Sequence, residues 1–454
     1  MVVHSAIAGE TRPEKMESES AISSWWNGGT MTGNWLGVRD TLADSGLTFN
    51  GKYYGAYFGV VSSERGARGF WDQGLEFGGE LNFGKALGVD PLKGTKAFGQ
   101  FRWRDARTAA DPNQFVEASS MFNPSNWISG QQFRVLSFGL EIGSSDLLAV
   151  KDMVVLRGGW LQPQKEFIDQ PLSKLFLNNA VNSSKGVGGN IPFSSSLSTW
   201  GGTLKVKPVE WYYAKGGLFM AFPQATATAN HGMAFAGFGP DPGQNGLMAM
   251  AETGVTPDLG ASELPGKFAF GGYYWGNQKN SFNGTPHYGQ YGFYAQADQM
   301  LFREPSGPQE EATPAGKGPD DAKSFKSPVP DAKPRLKDQG LSIFNLLSFA
   351  PKYNNLYPFY FQSGLVYKGL VPTRGDDLTM FSIAYGNYSY QNLLEQREVG
   401  NAVSTYTIFL EWGYRIQLNP WAFFQPFVQY AIRPDGSSDV ANATILGFYT
   451  GVNF

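Results

Sequence analysis

The stretch that decides the fold is residues 444–454, TILGFYTGVNF. Alternate positions in it, from Leu446 to Phe454, form one face that is almost wholly apolar. A strand of this kind, ending on an aromatic residue, suits the closure of a membrane barrel, whereas the last residues of soluble domains usually fray. We therefore expect this stretch to be the closing strand of a β-barrel.

The same alternation runs through most of the chain. Between residues 408 and 418, large apolar side chains alternate with a set that includes Glu411 and Arg415, and residues 71–83 and 101–104 show the same pattern. Successive side chains of a strand point to opposite faces, so one face suits lipid and the other suits water. The charged residues then never need to enter the hydrocarbon.

Counting each alternating run as one membrane crossing predicts sixteen strands. They lie near residues 47–60, 70–84, 96–107, 133–143, 152–161, 199–207, 211–222, 244–252, 267–276, 291–302, 341–350, 359–370, 378–390, 404–418, 421–432 and 444–454. An even count places both ends of the barrel on one side, which is the periplasmic side in bacterial single-chain barrels. The predicted fold class is all-β, a transmembrane antiparallel β-barrel of 16 strands.

Three segments differ from the barrel at 47–454. Residues 1–24 are polar and are predicted to be a disordered tail, and residues 25–46 are predicted to be a short periplasmic helical segment. Residues 304–340 are rich in Pro, Lys and Asp and cannot bury a core, so we predict a disordered insertion, on the periplasmic side by strand parity. Residues 1–8 lack a complete signal peptide, so we expect an export signal upstream or already removed.

Composition agrees with a barrel and excludes other classes. The 454 residues include 57 Gly, 35 Phe, 21 Tyr and 12 Trp, as tight turns and aromatic girdles require. No stretch approaches the roughly 20 apolar residues of a membrane helix. A net charge of -3 argues against nucleic-acid binding, and the absence of cysteine excludes disulfides, thiolate metal sites and cysteine nucleophiles. No phosphate-binding loop is present, so no cofactor is expected.

A series of short motifs, spread over nearly the whole chain, resembles one family in identity and order. The motifs are TGNWLGVRD at 32–40, KLFLNNA at 174–180, LPGKFAFGGYY at 264–274, ADQ at 297–299, LVPTRGDD at 370–377, and EWGYRIQLNPW, QPFVQY and RPDGS within 410–454. The chain resembles the OprB-type carbohydrate-selective porin family. It departs from the family pattern at 304–340, which looks longer than the family's connection, and at Asn34, where an acidic residue is expected.

The resemblance implies an outer-membrane porin that lets glucose and related small sugars diffuse passively into the periplasm. The expected partners are monosaccharides, with oligosaccharides left open, outer-membrane lipid, and the barrel assembly machinery acting through the strand that ends at Phe454. A monomer and a homotrimer are both compatible with the sequence. The alternatives are a general or hydrophobic-compound diffusion channel, an outer-membrane hydrolase, and a soluble all-β lectin or propeller.

The polar faces of the strands supply candidate residues for a channel lining. Carboxylates and guanidinium groups can each engage adjacent sugar hydroxyls through two hydrogen bonds, so acids facing arginines suit a neutral polyol. The alternative is that these charges only pair with one another in water. The candidates are Asp72, Glu76, Glu80, Arg102, Arg104, Arg157, Asp298, Glu411 and Arg415. Loop 162–198 is either a constriction inside the barrel or an extracellular lid.

Overall fold

A closed barrel of sixteen long antiparallel strands dominates the structure. The computed structural model describes residues 21–105, 112–118, 122–126, 133–145, 147–168, 170–192, 197–221, 246–305, 338–400 and 403–454. Strands β1 to β16 are Leu47–Ser62, Arg68–Asn82, Thr95–Arg104, Phe133–Gly143, Val154–Leu161, Thr199–Val209, Tyr212–Ala221, Gly246–Val255, Leu264–Asn280, Pro286–Arg303, Gly340–Phe349, Phe359–Lys368, Leu378–Asn387, Tyr406–Asn419, Ala422–Ile432 and Ala443–Asn453. The predicted fold class and all sixteen predicted strands are confirmed.

Short helices lie before the first strand and in the connections. The described α-helices α1 to α8 are Ala21–Trp26, Val38–Asp44, Phe83–Leu87, Pro112–Phe115, Pro163–Phe167, Asn179–Asn182, Lys185–Gly188 and Tyr390–Glu398. The described 3-10 turns are Trp35–Gly37, Asp90–Leu92 and Pro171–Leu175. The predicted N-terminal helix is therefore present, but as two separate helices. The predicted tail and insertion lie largely outside the described residues and stay predictions.

Strand β16 closes the barrel. Its residue Tyr449 lies opposite Ala56 of β1 on one side and opposite Gln425 of β15 on the other. Because β1 also pairs with β2, each long strand has two neighbours and the sheet has no free edge. A separate two-residue strand, Asp258–Leu259, pairs only with the start of β9.

The two faces of β16 differ as the alternation predicts. On the inner face, Ile445 is 0% exposed and Tyr449 is 5% exposed. On the outer face, Leu446 is exposed, and Phe448 stacks on Tyr57 of β1 with ring centroids 5.8 Å apart. This outer face is the one that suits contact with lipid.

Aromatic rings on the inner face lie across glycines of neighbouring strands. The ring of Tyr54 in β1 covers Gly74 in β2, and the ring of Tyr294 in β10 covers Gly271 in β9, so that a Cβ at either glycine would collide with the ring. Glycine normally weakens a strand because it has no side chain to pack. Here its missing side chain gives a large ring the space to lie flat against the wall.

Gly271→Ala is expected to destabilise the barrel by about 1–3 kcal/mol, the usual cost of overpacking a core. The added Cβ would meet the Tyr294 ring and lie 2.8 Å from the carbonyl oxygen of Ala251. Gly216→Ala is the matched control, because a Cβ at Gly216, on the outer face of β7, has no atom within 4 Å. Urea unfolding in detergent, followed by tryptophan fluorescence, measures both variants. If Gly271→Ala and Gly216→Ala unfolded at the same urea concentration, the result would contradict the proposed packing.

The N-terminal segment packs against the end of the last strand. The N–H of Met31 donates to the carbonyl oxygen of Asn453 at 2.9 Å, and the Arg39 guanidinium donates to that of Phe454 at 2.8 Å. The ring of Trp25 lies 5.0 Å from the ring of Trp421, in the turn between β14 and β15. Residues before β1 are thus tied to residues of β16 and its neighbour.

A buried carboxylate organises the turn between β12 and β13. Arg374 donates to Asp377 through Nε at 2.9 Å and Nη2 at 2.8 Å. The Tyr414 hydroxyl donates to the same carboxylate at 2.7 Å, and the N–H of Gln417 donates at 2.9 Å. Burial by itself raises the pKa of Asp377, but these hydrogen bonds outweigh it and lower the pKa below the ordinary value.

Asp377→Asn is expected to lower stability at neutral pH, and the difference from the wild type should disappear in acid. The carboxyl of Asp377 has a lower pKa in the folded protein than in the unfolded chain. Its contribution to the free energy of unfolding is therefore present above the pKa of the unfolded state, about 3.9, and is lost as the pH falls through the pKa of the folded state. The temperature at which the folded form disappears from a gel, measured for the wild type and the variant at about pH 7 and about pH 2, checks this prediction. A difference that is the same at both pH values would show that the charge has no part in it.

Candidate functional site

Loop 162–198, which joins β5 to β6, folds into the barrel. Phe176 is 1% exposed, and its ring packs against Phe344 of β11 with centroids 5.7 Å apart. The hydroxyl of Tyr360, on the inner face of β12, donates to the carbonyl oxygen of Ala180 at 2.8 Å. Of the two locations that the sequence left open, the described part of the loop occupies the interior.

Glu411 of β14 holds the middle of this loop. Its side chain is 1% exposed. The carboxylate accepts hydrogen bonds from the N–H of Leu177 at 2.8 Å, the N–H of Asn178 at 2.8 Å and the side-chain amide of Asn178 at 2.9 Å. Gln429 of β15 donates to it as well, at 2.9 Å. The donors on the loop belong to the KLFLNNA motif, so this motif and Glu411 form one structural unit.

Charged residues hold the start of the loop. Glu166 lies 3.3 Å from Nε of Arg157 in β5, and Arg157 Nη1 donates to Glu141 of β4 at 2.9 Å. The ammonium group of Lys215 donates to the carbonyl oxygen of Glu166. Further along, the side-chain amide of Gln170 donates to the carbonyl oxygen of Asn345 in β11 at 2.8 Å. Opposite walls of the barrel therefore both bind this loop.

A second segment between β3 and β4, of which residues 112–118 and 122–126 are described, is held in the same way. The Ser125 hydroxyl donates to Asp72 of β2 at 2.6 Å, and the N–H of Ser125 bonds to the Asn113 side chain at 3.0 Å. The N–H of Asn179 donates to the carbonyl oxygen of Asn123 at 2.8 Å. The two interior loops therefore support each other as well as contacting the wall.

Three charged residues form a row across β2, β3 and β4. Glu76 lies opposite Arg102, and Arg102 lies opposite Arg134. The closest approach of Arg102 to Glu76 is 3.7 Å, and Glu76 keeps 29% of its side chain exposed. Arg104, two residues beyond Arg102, donates from Nε to the Tyr54 hydroxyl at 3.2 Å. This part of the wall thus carries charge at the edge of a solvent-accessible region.

Two lysines of loop 162–198 lie within electrostatic range of this row. Lys165 interacts electrostatically with Glu76, and Lys185 interacts with Arg104. Both lysine side chains are partly exposed. Arg102, Arg104 and Arg134 are themselves buried, at 7%, 5% and 7% exposed, so the partly exposed charges of this region are Glu76 and the two lysines.

The remaining candidates occupy different environments. Arg415 of β14 is partly exposed and lies over the Phe423 ring, 4.0 Å from its centre. Glu80 is partly exposed on the inner face of β2. Asp298 of β10 is 1% exposed and lies opposite Lys267 of β9. All nine candidates therefore lie on inner strand faces, and they differ in how much solvent they reach.

Arg134 is the wall residue that sequence alternation missed. Simple alternation puts it on the same face as Phe138 and Leu140, which point outward. A bulge intervenes, because Gln100 pairs with Ser137 while Phe101 pairs with Val135, so one extra residue of β4 shifts the parity. Arg134 is thereby turned inward, and no feature of the sequence marks this bulge.

The described ranges show neither a metal centre nor a spanning helix. Within them, no group of three or more His, Asp or Glu residues could hold a metal ion. No helix in the same ranges is long and apolar enough to cross a membrane.

A closed sixteen-strand barrel with an apolar outer face, a charged inner face and a loop folded inside defines an outer-membrane porin. The family model described as "Carbohydrate-selective porin, OprB family" matches residues 70–454. The chain belongs to this family, so the resemblance seen in the sequence is confirmed. It is a porin of the bacterial outer membrane.

Solved structures with the same fold include Pseudomonas putida OprB in two forms. The high-pH structure has 21% sequence identity and a TM-score of 0.77, and covers 94% of this chain and 99% of its own. The low-pH structure has 16% identity and a TM-score of 0.53, with the same coverage. No curated protein matches the sequence significantly.

Proposed function

We propose that the chain carries small sugars across the outer membrane by passive diffusion, with the interior loops forming the narrow part of the passage. The observation that carries the proposal is loop 162–198, which is fixed inside a barrel whose inner wall bears Glu76, Arg102 and Arg104. A sixteen-strand barrel is wide enough to hold water, so selectivity depends on inward side chains and on loops in the lumen.

The chemistry of this region suits polyhydroxylated solutes. A guanidinium fork donates two hydrogen bonds to adjacent hydroxyls, and a carboxylate accepts two from them. Because a channel site has to release what it captures, binding should be weak, and neither energy coupling nor a cofactor is needed. A channel for hydrophobic compounds would require a less charged inner face.

The nine candidate residues divide into two proposed roles. Those that reach solvent contact the solute directly, and those that are buried hold the inner wall and the interior loops in place. The first group is Glu76, Glu80 and Arg415; the second is Asp72, Arg102, Arg104, Arg157 and Glu411. Asp298, which is buried beside Lys267, contributes to the charge of the wall.

Swelling of proteoliposomes in a panel of sugars of rising size tests the proposed function. We expect rapid swelling with pentoses and hexoses and slow swelling with trisaccharides, because the interior loops narrow the barrel. Protein-free liposomes are the control. Folded protein that admits none of these sugars would refute the proposal.

We also propose the sidedness and partners of the chain. The N-terminal segment and residues 304–340 are assigned to the periplasm, because the strand ends next to them are at the barrel end where β1 begins and β16 ends. The outer face contacts outer-membrane lipid, and the strand that ends at Phe454 is the element presented to the barrel assembly machinery. Protease protection in intact cells tests the sidedness, and crosslinking separates a monomer from a homotrimer.

The family and the fold are those of non-enzymatic channels, and we propose that this chain has no hydrolase activity. Ser281 lies in the connection between β9 and β10, and His287 lies at the start of β10. The Ser281 hydroxyl donates to the Thr285 carbonyl oxygen at 3.0 Å, and the His287 ring packs against Tyr353 with centroids 4.5 Å apart. Ester hydrolysis by the refolded protein, abolished by Ser281→Ala, would overturn this.

A further inference from the structure

The N-terminal segment carries a row of large apolar side chains that no other described part of the chain covers. All of them are exposed, and Leu36 is completely so. The row, here called the rim patch, consists of Trp25, Trp26, Trp35, Leu36 and Val38. Single exposed apolar residues are common on protein surfaces, but several within one short segment indicate a surface that contacts another apolar surface.

The segment follows the rim of the barrel below three neighbouring strands. Trp25 packs against Trp421 at the start of β15, and the N–H of Met31 bonds to the end of β16. The Arg39 guanidinium then donates to the carbonyl oxygen of Phe49, near the start of β1, at 3.3 Å. Because β15, β16 and β1 are adjacent in the sheet, the segment extends the wall at this end of the barrel.

The rim patch adjoins the outer face of this wall. Phe49 is exposed on the face of β1 that also carries Tyr57, and that face suits contact with lipid. The guanidinium of Arg39, which bonds to the backbone of Phe49, also lies over the Trp35 ring, 5.0 Å from its centre. Trp35 is therefore one side chain away from the lipid-facing wall, so the two apolar surfaces are continuous.

The backbone at the middle of the rim patch is strained. Trp35 has a φ of 48° and Leu36 a φ of 59°, and Gly37 follows with a φ of 93°. Bulky residues rarely adopt such values, and strain of this kind persists where surrounding contacts impose it. Here the N–H of Asp40 donates to the Asn34 side chain at 3.1 Å, and the Asn34 amide donates to the Asp40 carboxylate. This turn displays Leu36 to its surroundings instead of burying it.

We propose that the rim patch inserts into the headgroup region of the adjoining phospholipid leaflet and anchors the N-terminal segment to the membrane. Tryptophan is enriched at membrane–water interfaces, where its amphipathic ring sits at the level of the headgroups. The indole N–H of Trp25 already donates to the carbonyl oxygen of Met31 at 2.7 Å, so the exposed part of this ring is apolar. The inference goes beyond the proposed function and does not depend on which solute the channel carries.

A fluorescent label on a single cysteine tests the inference, because the chain has no cysteine of its own. Leu36→Cys, labelled with nitrobenzoxadiazole, is folded into nanodiscs of phosphatidylethanolamine and phosphatidylglycerol, whose two membrane surfaces both meet the buffer. We expect lipid with a nitroxide near the headgroup to lower the fluorescence about twofold, and iodide in the buffer to have little effect. Asp376→Cys is the matched control and should show the reverse, because Asp376 lies in the turn between β12 and β13, at the same end of the barrel, with a 78% exposed side chain.

A second label position keeps Trp35 and Leu36 unchanged. Val38→Cys, labelled in the same way, should also be quenched by the nitroxide lipid. Adding Leu36→Asp to this variant should remove most of that quenching, because a carboxylate is unfavourable in the apolar part of the membrane. Thr32→Asp is the matched control, since it adds the same charge at an exposed and already polar position of the segment. The heat-dependent shift of the folded band on a gel shows that each variant is a barrel.

Three outcomes would overturn the inference. If iodide quenched the labels at Leu36 and Val38 as strongly as the label at Asp376, and nitroxide lipid did not, the rim patch would lie in water. Protection from both quenchers would show that protein covers the patch, as in a contact between two copies of the chain. Equal effects of Leu36→Asp and Thr32→Asp would show that apolar contact does not hold the segment. None of these readouts depends on sugar uptake, so the proposed function is tested separately.

Discussion

Glu411→Ala is expected to raise single-channel conductance and to reduce discrimination between small and large sugars. The substitution removes the acceptor for Leu177, for both donors of Asn178 and for Gln429. Hydrogen bonds to a charged group contribute about 1.5–3 kcal/mol each, so their joint loss should release the middle of loop 162–198 from the wall. Planar-bilayer recordings and liposome swelling with a trisaccharide measure the two effects.

Two further variants test whether the effect comes from the carboxylate of Glu411. Glu411→Gln keeps one acceptor oxygen but places an amide where N–H donors converge, so its effect should be intermediate. Glu210→Ala removes an acid with a 70% exposed side chain in the turn between β6 and β7, and should behave as the wild type. If Glu411→Ala left both conductance and size discrimination unchanged, the loop would be held by its other contacts and Glu411 would not be its anchor.

Phe448→Lys is expected to destabilise the folded barrel by the cost of a cation at the lipid-facing centre of a β-barrel, about 2–4 kcal/mol, in addition to the loss of its ring contacts. Phe448 lies near the middle of β16 on the outer face, where its ring contacts Tyr57, Trp71 and Phe424 at centroid distances of 5.8, 6.0 and 5.4 Å. The closing strand thereby loses its apolar contacts and gains a charge. Urea titration of protein folded into lipid vesicles provides the measurement.

Phe448→Leu is the matched control for this prediction. It keeps an apolar outer face and loses only the ring contacts, each worth about 0.5–1.5 kcal/mol. We expect it to lie between the wild type and the lysine variant. Wild-type stability in Phe448→Lys would be incompatible with a lipid-facing position and would reverse the assignment of the two faces of β16.

The barrel could be predicted from the sequence because its determinants are local. Side chains two residues apart share a face, so the alternation around Glu411 and Arg415 identifies a strand without knowledge of its neighbours. The final apolar face from Leu446 to Phe454 marks the closing strand for the same reason. The ends of some strands differ from the predicted ends by a few residues, as at β9, because strand ends are set by pairing with a partner strand.

The arrangement inside the barrel could not be predicted in the same way. Alternation places Glu411 on the inner face, but its partners Leu177 and Asn178 lie more than 230 positions away in the sequence. Lys165 and Lys185 belong to an irregular loop with no periodicity that could orient them. The inward orientation of Arg134 depends on the bulge in β4. The arrangement of the interior loops is therefore set by tertiary contacts, whereas the inward or outward direction of most wall residues is set by local alternation.

The link between the N-terminal segment and β16 has a consequence for the order of assembly. Met31 and Arg39 bond to the backbone of Asn453 and Phe454. Segments made early in synthesis therefore cannot reach their final position until the last residues have been added and the ring of strands is complete. Docking of this segment therefore occurs only in a completed barrel. A chain that stops before β16 would leave Trp25 without its contact at Trp421 and accessible to proteases.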